Sequence, residues 1–225
     1  MNWEIEKANF YKFIFKNKII GFFEEPIKLK SGRLSYWYVN WRNISEDVYL
    51  LDELCDYILN FTSFLNLSPD CFYGVPEGAT KLGIITQYKW ATKQENYDSG
   101  SFRLSMGRGS PKEHGDPKDR YFLGQPQGKT IILEDVITTG ESLIDSIKKL
   151  KELNVNIIAA VGLTNRNELR NDGKTVEEII EKEGVKFYAM SNATELLPSL
   201  KPDRNIALKI EAYFKKYGTK EIEMF

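Results

Sequence analysis

The 225-residue chain contains a single histidine and two cysteines, and its 31 basic and 32 acidic side chains leave a formal net charge of −1. That near-balance excludes the strongly basic face that grips nucleic acid and the polybasic patch that holds a membrane surface. Cys55 and Cys71 lie in apolar surroundings without metal-ligand spacing. They read as buried free thiols in a reducing compartment. No apolar run approaches the ~20 residues that cross a bilayer. The first residues, Met1 to Glu6, lack the charged and apolar regions of a secretion signal. Cytoplasm is therefore the expected location, and no membrane partner is expected. Repeats and low-complexity linkers are missing too, so no repeat architecture is predicted.

What the chain does have is an ordinary globular composition, 42 % apolar and 28 % charged, enough to bury a real core. We take residues 1–225 as one α/β domain with small additions. Trp3 to Lys16 has the apolar spacing of an amphipathic helix. From Ile27 to Arg42 a turn precedes the β-prone run Tyr36-Trp37-Tyr38-Val39. Ser45-Glu46-Asp47 caps a helix predicted to carry Val48, Leu51, Leu54, Cys55 and Ile58 on one face. Cys71-Phe72-Tyr73 reads as a short buried strand, and Gly74 to Gly78 turns the chain into a helix through Ile84-Ile85. Ser101 to Leu104 is predicted as another short strand, followed by a polar stretch from Met106 to about Gly128.

The clearest segment comes next. Lys129 to Leu133 is a continuous apolar strand, as in parallel sheets covered on both faces. A turn, Thr138 to Ser142, leads to a helix with Leu143, Ile147, Leu150 and Leu153 as its stripe, and Asn156 to Leu163 is again a buried strand. This is a β-α-β unit. A helix (Val176 to Glu183), a strand (Lys186 to Met190) and a last helix (about Asn205 to Tyr217) complete the pattern. The predicted class is α/β: a parallel β-sheet flanked by helices.

Chemistry concentrates in Glu134-Asp135-Val136-Ile137-Thr138-Thr139-Gly140-Glu141-Ser142. Two carboxylates stand at the carboxyl end of a buried strand, where open parallel sheets bind ligands. The turn after them offers backbone N–H groups and the positive end of a helix, which suits a phosphate. Gly140 allows close approach, and Thr138, Thr139 and Ser142 add hydroxyl donors. Adjacent acids accept from two neighbouring hydroxyls, as on a ribose. A sugar phosphate fits, with phosphate in the turn and diol on Glu134 and Asp135. A capped helix behind solvent-facing acids explains any one of these residues but not the whole string.

The string resembles the signature of the type I phosphoribosyltransferases, which bind 5-phosphoribosyl-1-diphosphate, with Glu134 where many members have Asp. The resemblance implies that family's fold, with a small N-terminal hood over residues 1–45.

In the polar stretch, Arg108-Gly109-Ser110-Pro111-Lys112-Glu113-His114-Gly115 places cations four and six positions beyond the first. Its glycines permit movement, and its cations suit a highly charged diphosphate as it leaves. A solvated charged loop is the plain alternative. The segment resembles the catalytic loop of orotate phosphoribosyltransferases at Arg108, Lys112, His114 and Gly115. It departs at Gly109, where that family usually has a second Lys, which either weakens the diphosphate clamp or shifts the task to Lys118 or Arg120. The resemblance implies a mobile catalytic loop over 105–128 that reaches a neighbouring subunit's site, hence a homodimer.

Leu29-Lys30-Ser31-Gly32-Arg33, followed by Tyr36 to Asn40, looks like the N-terminal segment of the same enzymes. The resemblance puts Lys30 near orotate and diphosphate, and Tyr38 and Val39 in the places where aromatic residues border the pyrimidine and stack well on it, Val39 being a departure from that pattern. A β-hairpin with core aromatics is a compatible reading. By matching position, Arg166 of Thr164-Asn165-Arg166 holds the orotate carboxylate; a surface ion pair is the alternative. Gly74-Val75-Pro76-Glu77-Gly78-Ala79 matches the turn that meets the diphosphate, often through a strained peptide, with an acid at Glu77 where relatives often have Tyr or Lys.

The family reading implies transfer of a phosphoribosyl group to orotate in pyrimidine biosynthesis, with Mg2+, catalytic Lys112, His114, Asp135 and Arg108, and sugar-phosphate contacts from Glu134 through Ser142. Orotate would meet Lys30, Tyr38, Val39, Thr138 and Arg166. The rivals are a phosphoribosyltransferase for another base, a non-catalytic regulator that senses ribose phosphate, and a nucleotide-binding module on a flavodoxin-like sheet. Gly124 to Thr130 is similar to a P-loop ending, but it precedes a strand and has three residues between its glycines, so we reject it.

Overall fold

The run Ile131-Ile132-Leu133 organises the molecule because its side chains alternate across a sheet covered on both faces. Ile131 and Leu133 turn into one core with Phe72, Val161 and Met190, while Ile132 turns into the other with Tyr73 and Ala160. The computed structural model describes residues 3–114 and 120–225.

In chain order the elements are α1 (Trp3–Lys16), β1 (Ile20–Lys28), β2 (Leu34–Val39), α2 (Arg42–Ser45), α3 (Val48–Phe64), β3 (Cys71–Gly74) and α4 (Thr80–Ala91). They continue as β4 (Met106–Gly107), β5 (Phe122–Leu123), β6 (Lys129–Ile137), α5 (Glu141–Glu152), β7 (Asn156–Asn165), α6 (Val176–Lys182), β8 (Phe187–Asn192), α7 (Ala193–Leu200) and α8 (Arg204–Tyr217). The main sheet is parallel with order β3-β6-β7-β8. Its register pairs Gly74 with Leu133, Ile137 with Asn165, and Asn165 with Asn192, so the carboxyl ends share one edge. The larger core joins that sheet to α1, α3, α7, α8 and the β1–β2 hairpin; the smaller joins it to α5 and α6.

Local chemistry explains the element ends. Asp47 caps α3 by accepting from the Leu50 N–H at 3.0 Å. Thr175 and Glu178 form a reciprocal capping box on α6. Asp203 caps α8 through the N–H groups of Asn205 and Ile206.

Several expectations change. Val48 is 86 % exposed, because it starts α3 outside the stripe of Leu51, Leu54, Cys55 and Ile58. Residues Ser101 to Leu104 form a turn and irregular chain, not a strand; the extended segment is Met106–Gly107, fixed by antiparallel pairing with Phe122–Leu123. The polar stretch is thus rooted in a short ribbon. Leu153 ends α5 as its C-cap instead of joining the fully buried stripe. β1, α2 and α7 are additional elements. Cys55 and Cys71 are buried free thiols, and burial pushes the Cys55 thiol up to about 11.

Candidate active site

A cleft opens at the carboxyl edge of β6 and β7, between that edge and the β1–β2 hairpin. Lys30, Tyr38, Val39, Glu134, Asp135, Thr138, Thr139, Gly140, Glu141, Ser142 and Arg166 all line it, so residues more than a hundred positions apart in sequence converge.

The turn is held from behind. Gly140 sits at φ +70 as the N-cap of α5, a left-handed conformation that favours glycine. A Cβ there would also come within 2.7 Å of Val176 Cγ1, so the glycine lets α6 pack under the turn as well as leaving the ligand side open. Arg170 braces the same turn by donating from Nη1 to the Thr139 carbonyl. Across the cleft, Lys30 Nζ reaches Ser142 Oγ at 3.2 Å and brings a cation to the phosphate turn.

The two acids differ. Glu134 is buried, and its carboxyl is raised well above the ordinary 4.5, first by desolvation and then by the neighbouring Asp135 charge. Lys30 opposes that rise. Asp135 is half-buried and accepts from the Val136 N–H at 2.9 Å. Glu134 therefore holds a negative charge reluctantly. Unfolding exposes Glu134 to water, so the unfolded chain ionises it more readily. Native stability owed to this group is then lost as pH climbs from 4.5 toward the raised value. Glu134→Gln is expected to raise the melting temperature at pH 8 and leave it nearly unchanged at pH 4; at about 2–4 °C per kcal/mol the shift is readable by calorimetry. A variant that melts lower than the native chain at pH 8 would contradict the buried-charge assignment.

Tyr38 is part-exposed and Val39, at the end of β2, is buried. Arg166 is no surface residue: it is 1 % exposed, donates to Glu168 Oε1 at 2.7 Å and to Ser35 Oγ at 3.1 Å, and lies 3.6 Å over the Trp37 ring.

The loop residues stand elsewhere. Lys112 and His114 are exposed and are not part of the cleft wall, and Arg108 is half-buried. Backbone bonds from Arg108 N to Tyr121 O (2.9 Å) and from Lys112 N to Arg120 O (2.8 Å) extend the β4–β5 ribbon toward them. Gly115 and Lys118 lie outside the described residues.

The two odd positions of the sequence meet in space. A side chain at Gly109 would run into the Glu77 carboxylate, so the missing lysine and the unusual acid share one location. Glu77 follows a cis peptide after Pro76 and lines the cleft. Sequence reasoning missed Asn40, Trp41 and Arg42 in the wall, and Arg170 behind the turn. For Arg170 the only signal was a cation a few residues beyond a strand end. Ser31, also in the wall, has a buried hydroxyl with no hydrogen-bond partner among the described residues.

A parallel sheet with a phosphate-ready turn at its carboxyl edge, overhung by a hairpin, is the phosphoribosyltransferase fold. The crystal structure of orotate phosphoribosyltransferase from Francisella tularensis superposes with TM-score 0.70 and 23 % identity, covering 94 % of this chain and 100 % of that one. No protein-family model matches the chain. Two curated relatives carry the comparison further. Orotate phosphoribosyltransferase of Aquifex aeolicus is 28 % identical over 188 residues, 82 % of this chain and 94 % of that protein. That of Pyrococcus horikoshii is 30 % identical over 168 residues, 75 % and 82 %. The chain belongs to the orotate phosphoribosyltransferase family, as its signature, loop and hairpin motifs implied.

Proposed function

We propose that this chain transfers the 5-phosphoribosyl group of 5-phosphoribosyl-1-diphosphate to orotate, giving orotidine 5'-phosphate and diphosphate in pyrimidine biosynthesis. One observation carries the reading: the phosphate turn, the acid pair, Lys30 and Arg166 line a single cleft. The 5-phosphate takes the N–H groups and hydroxyls of the Thr138–Ser142 turn. The ribose hydroxyls donate to Glu134 and Asp135. Orotate lies along Tyr38 and Val39 with its carboxylate on the Arg166 guanidinium, and Lys30 and Thr138 border it.

The C1–O bond to diphosphate breaks and its electron pair leaves with the diphosphate. A ring nitrogen of orotate forms the new bond to C1 and gives up its proton. As the bond lengthens the ribose becomes positive, and the carboxyl groups of Glu134 and Asp135 beside it offset that charge. The cleft thus binds the transition state better than the free sugar phosphate. The departing diphosphate meets Lys112, His114 and Arg108 on the 105–128 loop. Those side chains stand away from this chain's own cleft wall, which supports service to a neighbouring subunit's cleft in a homodimer.

Among the described residues no group of three or more His, Cys, Asp and Glu side chains could hold a metal. Mg2+ keeps several waters and needs only one or two carboxylates beside substrate phosphates. Asp135 and Glu77, both in the cleft wall, fit that requirement and would hold it through water. When bound it offsets charge on the diphosphate. No helix is long and apolar enough to cross a membrane among the described residues, which is compatible with a cytoplasmic enzyme.

The test is loss of orotate absorbance on mixing protein, 5-phosphoribosyl-1-diphosphate and Mg2+, with a panel of other bases alongside. Orotate alone is expected to be consumed. Consumption of a purine instead, or of no base together with salt-dependent nucleic-acid binding, would replace this reading by one of its rivals.

A further inference from the structure

Arg166 shares its carboxylate partner. Glu168, fully buried, accepts from Arg166 Nε at 2.7 Å on one oxygen and from Arg33 Nη1 at 2.9 Å on the other. Arg33 is itself buried and is anchored by the Leu169 carbonyl (2.6 Å) and Asn171 Oδ1 (3.2 Å), with its guanidinium 4.7 Å from the Tyr217 ring centroid. Two guanidiniums on one carboxylate leave the triad at a formal +1. Arg33 is not in the cleft wall, whereas Arg166 is.

Burying one unbalanced charge is costly unless an anion completes it. An isolated Arg166–Glu168 pair would be neutral, and its carboxylate would repel an incoming anion. Arg33 offsets that carboxylate from behind and leaves Arg166 attractive to one more negative group. We propose that Arg33 is a specificity-determining positioning residue. Acting through Glu168, it keeps the base end of the cleft positive, so that the site takes a pyrimidine carrying a carboxylate over its neutral counterpart. The inference rests on the reading that Arg166 faces the orotate carboxylate.

The experiment compares the purified full chain with Arg33→Met, Arg33→Lys and Glu168→Gln, measuring KM for orotate, KM for 5-phosphoribosyl-1-diphosphate, and the ratio of uracil to orotate inhibition or binding. Arg33→Met takes the triad to zero: orotate KM should rise roughly tenfold or more, with uracil binding and the sugar-diphosphate KM little changed. Arg33→Lys keeps the charge and should restore the preference. Glu168→Gln raises the triad to +2 while Ser35 and Trp37 still hold the Arg166 fork, so preference for orotate over uracil should persist or grow. If Arg33→Met discriminates as well as the native chain, or if Glu168→Gln loses discrimination, the charge account is overturned. The second arm decides the matter even if Arg33→Met fails to fold. A native chain inactive on orotate would instead sink the functional reading itself.

Discussion

Lys112→Ala is expected to lower turnover by about 10²–10³, the usual loss for one donor aimed at charge that develops in the transition state. Substrate binding should survive, because the diphosphate draws on this side chain chiefly as it leaves. The position makes the experiment clean. Lys112 is exposed, and its backbone N–H bonds to the Arg120 carbonyl at 2.8 Å. Removing a solvent-facing side chain there changes stability by no more than about 0.5 kcal/mol, so lost activity reads as lost catalysis. Turnover equal to that of the native chain would remove the loop from the mechanism. The vicinity of Gly109 and Glu77 adds weight to this choice: with no lysine at 109, the cations left on the described part of the loop are Arg108, Lys112 and Arg120, with His114 beside them.

Arg166→Ala is expected to act on specificity and stability together. A site built around a hydrogen-bonded group rejects analogues lacking it by up to about 10⁴–10⁵, and the variant should forfeit much of its preference for orotate over uracil. It also takes from the buried Glu168 the Nε bond to Oε1, and leaving a buried acceptor without its partner costs about 1–3 kcal/mol. Arg33 remains on Glu168, which points to the lower end. The melting temperature should therefore fall by several degrees, and guanidinium added to the assay should restore part of the orotate preference. A variant that discriminates normally would assign the carboxylate to another residue in the wall.

The parts legible from sequence are those whose chemistry is local. Ile131-Ile132-Leu133 announces a strand covered on both faces, and the acids, hydroxyls and glycine after it announce a phosphate turn, because both signals sit within about a dozen residues. β1 escaped because Gly21 and the Glu24-Glu25-Pro26 run break its alternation, and its register shifts between Phe22 and Ile27. α7 carries Pro198 in its interior, which reads as a helix stop. The two-residue strand at Met106–Gly107 exists only through its partner at Phe122–Leu123, so propensity placed it too early. The Arg33–Glu168–Arg166 triad joins residues 135 positions apart, a distance at which periodicity and spacing carry no information. Resemblance pointed to Arg166 as a ligand group; only the folded arrangement reveals the carboxylate and second arginine behind it.

The decisive measurement is a crystal structure of the protein with 5-phosphoribosyl-1-diphosphate bound. The account predicts the 5-phosphate against the N–H groups of the Thr138–Ser142 turn, with both ribose hydroxyls on Glu134 and Asp135. A bound sugar seated elsewhere, with that turn making no contact to it, would contradict the assignment of this cleft.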